Sequence, residues 1–255
     1  MPKKSSNAYF YEGFVRQYID SQPSNPRHKY IDKPAMHKAV PDLNGKSVLA
    51  IGCGSGDELN YLRYKGARKV VGIDSSEYMV KASRINAPEA EVYKMSADKL
   101  AFKKESFDFV YSDLAVHYVS NIGKVFLNVY RVLNKNGLFL FSTTHPIEDT
   151  LEKIKLSGQK ELKVLGYSKI NGIIDRVYGD YFNKKRITEK WFGGDEVTFY
   201  YTPISDIINK AILSGFRIVE VLEPKPLKSM QKASPDLYKR MARIPFILIF
   251  KLKKE

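Results

Sequence analysis

The sequence predicts a doubly wound α/β fold, and two observations carry that prediction. From residue 47 onward, short apolar runs alternate with amphipathic, helix-like segments, the rhythm of a parallel sheet covered by helices on both faces. The first run ends in a glycine-rich turn, "SVLAIGCGSGDELNYL" over residues 47–62, with Gly52, Gly54 and Gly56 at alternate positions. Right-handed crossovers then restrict how successive strands are laid down. At 255 residues the chain is long enough to bury a core without covalent staples.

The elements follow in order. Residues 8–20, "AYFYEGFVRQYID", place aromatic and aliphatic groups near helical spacing and predict a short amphipathic helix. "SQPSNPRH" interrupts it with two prolines, and a second helix is expected over "KYIDKPAMHKAV", shortened or kinked at Pro34. After the turn "PDLNG", strand "SVLAIG" leads to helix "DELNYLRYKG", and strand "KVVGID" to helix "SSEYMVKASRIN". Strand "AEVYKM" and strand "FDFVYSD" follow, then helix "NIGKVFLNVYRVL", a turn at "NKNG" and strand "LFLFSTT". After His145-Pro146 the rhythm stops. "GIIDRVYGDYF", "KRITEKWF" and "EVTFYYT" alternate as antiparallel strands do. Helix "PISDIINKAILSG", strand "RIVEVLEP" and a last strand in "RIPFILIFKLKK" resume the α/β pattern. The reading is an N-terminal helical extension over 1–40, an α/β domain over 41–146 and 203–255, and an inserted β-rich cap over 147–202.

Composition narrows the class. The single cysteine, Cys53, rules out an internal disulfide. No signal-peptide pattern opens the chain, and "IPFILIF" is too short to cross a bilayer, so a cytoplasmic protein without membrane spans is expected. No His, Cys, Asp and Glu group has metal-ligand spacing, and no metal is expected. The formal charge of +14 favours polyanions, and residues 225–243 hold six Lys/Arg against one acid.

The glycine turn is the chemical signal. Glycine there costs chain entropy, so the backbone either takes positive φ or is approached closely by a ligand. A turn at the end of the first strand lies at the switch point of such a sheet, where ligands bind. A dinucleotide site requires G-x-G-x-x-G, and its third glycine is replaced here by Asp57. An acid at that position repels a pyrophosphate and suits an ammonium or sulfonium group.

These segments resemble the class I S-adenosylmethionine-dependent methyltransferases over most of the chain. "VLAIGCGSG" is similar to their first motif, the loop around the methionine part of the cofactor, which implies contacts from Gly52, Cys53, Gly54 and Gly56. "VVGIDSSEYMV" resembles the second, implying that Asp74, with Ser75 beside it, accepts the ribose hydroxyls. "SADKLAF" resembles the adenine motif of Ser96, Ala97 and Asp98, with Asp98 taking the exocyclic amine. "FDFVYSDLAVHYV" resembles the segment after strand four, which implies Ser112 and Leu114, and "VYRVLNKNGLFLFST" the approach to strand five. The resemblance implies a seven-stranded Rossmann-like sheet whose last strand is antiparallel. It also implies in-line transfer of the sulfonium methyl, leaving S-adenosylhomocysteine.

"SDLAVHYV", "FSTTHP", "GFRIVEVLEPKP" and "RIPFILI" further resemble one group of small-molecule methyltransferases. That group carries a His-Arg-Thr-like run where this chain has Tyr201-Thr202-Pro203. A small-molecule acceptor is therefore expected. His117 and His145 follow strand ends that point at the site and are the candidate general bases. Each has a structural alternative, packing beside the cofactor for His117 and shaping the His-Pro turn for His145. Tyr9, Tyr11, Trp191 and Tyr201 are the candidate acceptor contacts; the structural alternative is a buried helix stripe for Tyr9, Tyr11 and Tyr18, and cap core for Trp191. Two rival functions stand beside this one: a nucleic-acid methyltransferase, and a non-catalytic protein that binds the cofactor. "SDLAVHYV" is unlike the Asn-Pro-Pro-Tyr run of amino-directed base enzymes, and nucleic acid is not the expected partner. Oligomeric state is not legible.

Overall fold

The computed structural model describes residues 7–158 and 160–255. A 3-10 turn at Ala8–Phe10 precedes helix α1, Glu12–Ser21. The second helix begins as a π-helical turn at His28–Asp32 and continues as α2, Lys33–Ala39. Pro34 falls in the first turn of α2, where its missing N–H leaves no hydrogen bond unmade. The expected kink is thus a widening of the turn before the proline.

Strand and helix then alternate: β1 Ser47–Ile51, α3 Asp57–Tyr64, β2 Lys69–Asp74, α4 Glu77–Asn86, β3 Glu91–Lys94, β4 Phe107–Ser112, α5 Ile122–Val132 and β5 Leu133–Thr144. A short helix, α6 Pro146–Thr150, opens the inserted region. Three antiparallel hairpins follow, pairing β6 Glu152–Lys155 with β7 Glu161–Val164, β8 Gly166–Ile170 with β9 Ile173–Tyr178, and β10 Lys185–Trp191 with β11 Asp195–Tyr201. Helix α7 Ile204–Leu213, strand β12 Phe216–Leu222, helices α8 Met230–Ala233 and α9 Pro235–Met241, and strand β13 Ile247–Lys254 complete the chain.

The main sheet has seven strands in the order β12-β13-β5-β4-β1-β2-β3. β1 through β5 run parallel, and β13 is antiparallel to both β5 and β12. Successive residues of β1 feed opposite cores. Leu49 and Ile51 pack with Phe126, Val129 and Ile207 from α5 and α7 on one face. Val48 and Ala50 pack with Met36, Leu59, Leu62 and Met241 from α2, α3 and α9 on the other. A strand buried on both faces needs the unbroken apolar run that the sequence supplies.

Two segments depart from the sequence reading. The "NKNG" turn is absorbed into β5 as an irregularity, because pairing with β4 jumps from Phe107–Leu133 to Phe109–Leu138 and Asn136 takes φ 63°. The inserted region begins with a helix, and the hairpin β6–β7 and strand β8 precede the first strand that the sequence marks, "GIIDRVYGDYF", which contains β9.

Candidate active site

The carboxyl ends of β4, β1, β2 and the segment after β3 lie side by side, and each delivers one part of the site. At β1 the three glycines answer to different constraints. Gly52, Gly54 and Gly56 all have positive φ, at 67°, 52° and 93°. A Cβ on Gly52 would lie 2.2 Å from the Ala115 Cβ, so the loop after β4 can touch the turn only if residue 52 has no side chain. Gly56 is the left-handed N-cap of α3, backed by Ser83. A Cβ on Gly54 would meet nothing within 4 Å, because that side of the turn opens on a cavity.

The cavity measures about 360 Å³. Its floor is Ile51, Gly52 and Gly54 from the turn, Asp74 and Ser75 beyond β2, Ser96, Ala97 and Asp98 beyond β3, and Asp113, Leu114 and Ala115 beyond β4. Its roof is Asn7, Tyr9, Phe10 and Tyr18 from the N-terminal segment, with Tyr118 and Tyr200. Asp74 accepts hydrogen bonds from the Gly54 N–H (3.1 Å) and the Ser76 N–H (2.8 Å). Burial pushes its carboxyl above the usual range, and those two amides pull it back. Ser96 Oγ donates to Asp98 Oδ1 at 2.5 Å, and Asn128 holds the Asp98 carbonyl. Leu114 takes a left-handed φ of 45°, fixed by its N–H donating to Ser142 Oγ at 2.8 Å.

This arrangement fits an adenosine cofactor: a carboxylate at the end of β2 for a ribose, an acid and an amide beyond β3 for a purine edge, and a turn stripped of side chains for close approach. Among the expected contacts, Gly52, Gly54, Asp74, Ser75, Ser96, Ala97, Asp98 and Leu114 line the cavity. Cys53, Gly56 and Ser112 lie behind it. The Cys53 thiol is packed near Gly72 and Leu59 and is pushed up to about 12 by burial, and Ser112 Oγ donates to the Ile51 carbonyl. Asp57 does not face the cavity either; its carboxylate receives Asn86 Nδ2 at 2.8 Å. The acid beside the glycine turn is Asp113, which sequence reasoning passed over, although its place after β4, the neighbour of β1, could have marked it.

The expected acceptor contacts divide. Tyr9 lines the cavity, its hydroxyl 3.2 Å from that of Tyr118. Tyr11 and Trp191 belong to an aromatic seam with Phe14, Val15, Met79 and Val197, outside the cavity wall. Tyr201 donates to the Tyr181 carbonyl and borders a second, small hollow with His117, Thr143, Asp149, Tyr200 and Ile207. Tyr200 and Val119 border both spaces. His117 is buried, and desolvation lowers it to about 4, so it is neutral near pH 7. Asp149 accepts from Thr144 Oγ1 (3.0 Å), and burial raises it to about 7. His145 lines neither space. Its Nδ1 accepts the Ile147 N–H at 3.2 Å as the N-cap of α6, and its Nε2 lies 2.9 Å from Glu223 Oε1.

Comparison with known proteins agrees with this geometry. The family model described as a methyltransferase domain matches residues 49–141. An S-adenosylmethionine-dependent methyltransferase of Mesorhizobium loti superposes with a TM-score of 0.70 at 28% identity, covering 87% of this chain and 96% of that one. A Haemophilus influenzae protein of unassigned activity is 28% identical over 235 residues, 89% of this chain and 88% of its own. The malonyl-[acyl-carrier protein] O-methyltransferase of Legionella pneumophila is 30% identical over 136 residues, and the chain spans 45% of its length. The matched methyltransferase domain and the Mesorhizobium loti neighbour support a class I S-adenosylmethionine-dependent methyltransferase. Among the described residues no helix is long and apolar enough to cross a membrane, and no cluster of metal-ligating side chains is found.

Proposed function

We propose that the enzyme methylates a small, soluble acceptor that binds under the roof formed by residues 7–18 and the β10–β11 hairpin. The observation carrying this reading is that Asn7, Tyr9, Phe10, Tyr18 and Tyr200 line the same cavity as the glycine turn, so the N-terminal segment and the β10–β11 hairpin overhang the reacting end. Of the extension over 1–40 and the insertion over 147–202, the described residues act as a lid and as the acceptor cap on the cofactor-binding domain of 41–146 and 203–255; residues 1–6 and 159 lie outside the described residues. When bound, S-adenosylmethionine supplies an activated sulfonium methyl. The Asp74 carboxylate would hold the ribose hydroxyls, and Asp98 with the Ala97 amide would hold the adenine. The aromatic roof excludes water and limits the approach of the acceptor to one line.

The hollow shared by Tyr200 and Val119 supports the acceptor end of this reading. That hollow holds only about 10 Å³, so the acceptor stays in the main cavity and the hollow backs it with neutral His117 and with Asp149, whose proton affinity burial raises to near neutrality. His145, with both ring nitrogens engaged, holds the α6 turn instead. A macromolecular acceptor would have to part the seam of Tyr9, Phe14, Tyr18 and Trp191. The test is incubation with methyl-labelled cofactor and cell extract separated into small molecules, protein and nucleic acid. Label in the small-molecule fraction is the expected result. Label confined to RNA or protein overturns the proposal.

A further inference from the structure

Behind the Asp113 end of the cavity lies a group of acids that the methyl-transfer reading does not use. Asp32, from the π-helical turn, is fully buried, and neither of its carboxylate oxygens has a hydrogen-bond donor. Nδ1 of His28 lies 2.9 Å from Asp32 Oδ2 without donating to it in line. Asp113 stands within hydrogen-bonding reach of Asp32 and accepts the Ser142 hydroxyl at 2.6 Å. Glu58 of α3 lies next in the group, bound to His37 Nε2 (2.9 Å) and the Tyr111 hydroxyl (3.0 Å), with Lys33 Nζ at 3.6 Å. Every element around the pair thus contributes a titratable group: Tyr18 from α1, His28 from the π-helical turn, Lys33 and His37 from α2, Glu58 from α3, Tyr111 from β4. His28 offers no reliable positive charge, because burial lowers its proton affinity.

A fully buried carboxylate and a half-buried one beside it repel each other strongly if both are charged, and an acceptor-only oxygen with no donor, as on Asp32, is costly when buried. One proton between them resolves both difficulties, since it turns one acid into the other's donor. The arrangement resembles a carboxylate dyad and titrates as a unit. Asp113 alone of the two reaches the cavity, at the end formed by β4 and the glycine turn, across the sheet edge from Asp98.

We propose that the Asp32–Asp113 pair is the seat of the cofactor's α-ammonium, and that docking of this cation expels the shared proton to solvent. The inference rests on the cofactor reading above. The balance is one positive charge gained and one proton lost, so the buried group's net charge is unchanged by binding. The aromatic roof and the adenine end take no part in it. Affinity for ligands that carry the ammonium therefore rises with pH while the pair is protonated and levels off once the pair has ionised.

Calorimetry of the full-length protein with S-adenosylhomocysteine, repeated near neutral pH in buffers of different ionisation enthalpy, counts the protons exchanged. We expect release of about one proton per ligand, as displacement from a coupled pair requires. 5′-Methylthioadenosine has the same adenosine and thioether without the amino-acid end, and should bind with no release. Asp113→Asn should abolish the release and bring the two affinities together. A buffer-independent enthalpy for S-adenosylhomocysteine overturns the proposal, as does equal release with methylthioadenosine, and both are read on the unmodified protein. If neither ligand binds, the cofactor reading itself has failed, which separates the two outcomes.

Discussion

Gly52 has no room for even a methyl group, since a Cβ would overlap the Ala115 side chain at 2.2 Å, and its φ of 67° is one that L side chains rarely adopt. Gly52→Ala should therefore displace the loop after β4 and weaken S-adenosylhomocysteine binding at least tenfold, about 1.4 kcal/mol. Gly54 has equally positive φ and open space above it, so Gly54→Ala tests the approach of the ligand separately. Calorimetry on both variants checks the pair, and unchanged affinity in either would remove that glycine from the site. Asp74, expected from its motif, lines the cavity, and its carboxylate also ties the Gly54 and Ser76 amides together, which no sequence pattern reveals. Asp57 shows the converse. It follows the glycines directly in sequence, but α3 turns it toward Asn86, and the acid at the turn comes from the neighbouring strand. Asp113 was legible only through strand order, which sets β4 beside β1, whereas Asp32 comes from the π-helical turn, whose packing against that end of the sheet no motif reveals.

At the scale of elements, the α/β rhythm was readable because each parallel strand is buried on both faces and so must be an unbroken apolar run. Strands β6, β7 and β8 were not readable for the opposite reason. Glu152–Lys155, Glu161–Val164 and Gly166–Ile170 are half-buried or exposed along their whole length, so none has a core face to impose alternation. The expected role of His145 illustrates the same limit: its sequence position at the strand end was correct, and the helix it caps, α6, decided where its ring points. Buried acids on two other elements give the fold a pH signature. Burial raises Asp32 in the π-helical turn and Asp149 in α6 to about 7 each, above the range of an unfolded carboxyl. These two acids keep protons that the unfolded chain has lost between about pH 4 and 7, and their contribution to stability falls as pH rises through that window; His117, lowered from 6.5 to about 4, opposes them only below about pH 6.5. Glu58 and Asp108 are lowered and act in the reverse sense, losing their contribution only in stronger acid. Thermal unfolding of the protein without ligand should give a higher Tm at pH 5.5 than at pH 8, by about a few degrees, and Asp149→Asn should flatten the dependence. A Tm that climbs steadily from pH 5.5 to 8 would contradict this assignment.

For the whole molecule, the charge of +14 and the basic stretch over 225–243 set a separate test of the partner. Arg240 is committed to a salt bridge with Glu148 at the start of the inserted region, whereas Lys225, Lys228, Lys232 and Lys239 are exposed. Replacing those four lysines with glutamine should leave S-adenosylhomocysteine affinity and methyl transfer within about twofold, as exposed charges contribute little. A loss of activity that tracked ionic strength would instead reveal a nucleic-acid partner. The seam that joins the N-terminal segment to the β10–β11 hairpin has one more consequence. Trp191, the only tryptophan in 255 residues, stacks on Tyr18 at 15° between ring planes, with Phe14 and Tyr9 around it. Every photon of indole emission from this protein therefore originates where the roof meets the cap, and the molecule carries its own optical gauge of whether that roof is shut. Titration with S-adenosylhomocysteine should shift the emission in step with calorimetric saturation, and stopped-flow mixing would then time the opening without any attached label. Emission that stays constant while heat is released would mean that ligands enter and leave without disturbing the seam.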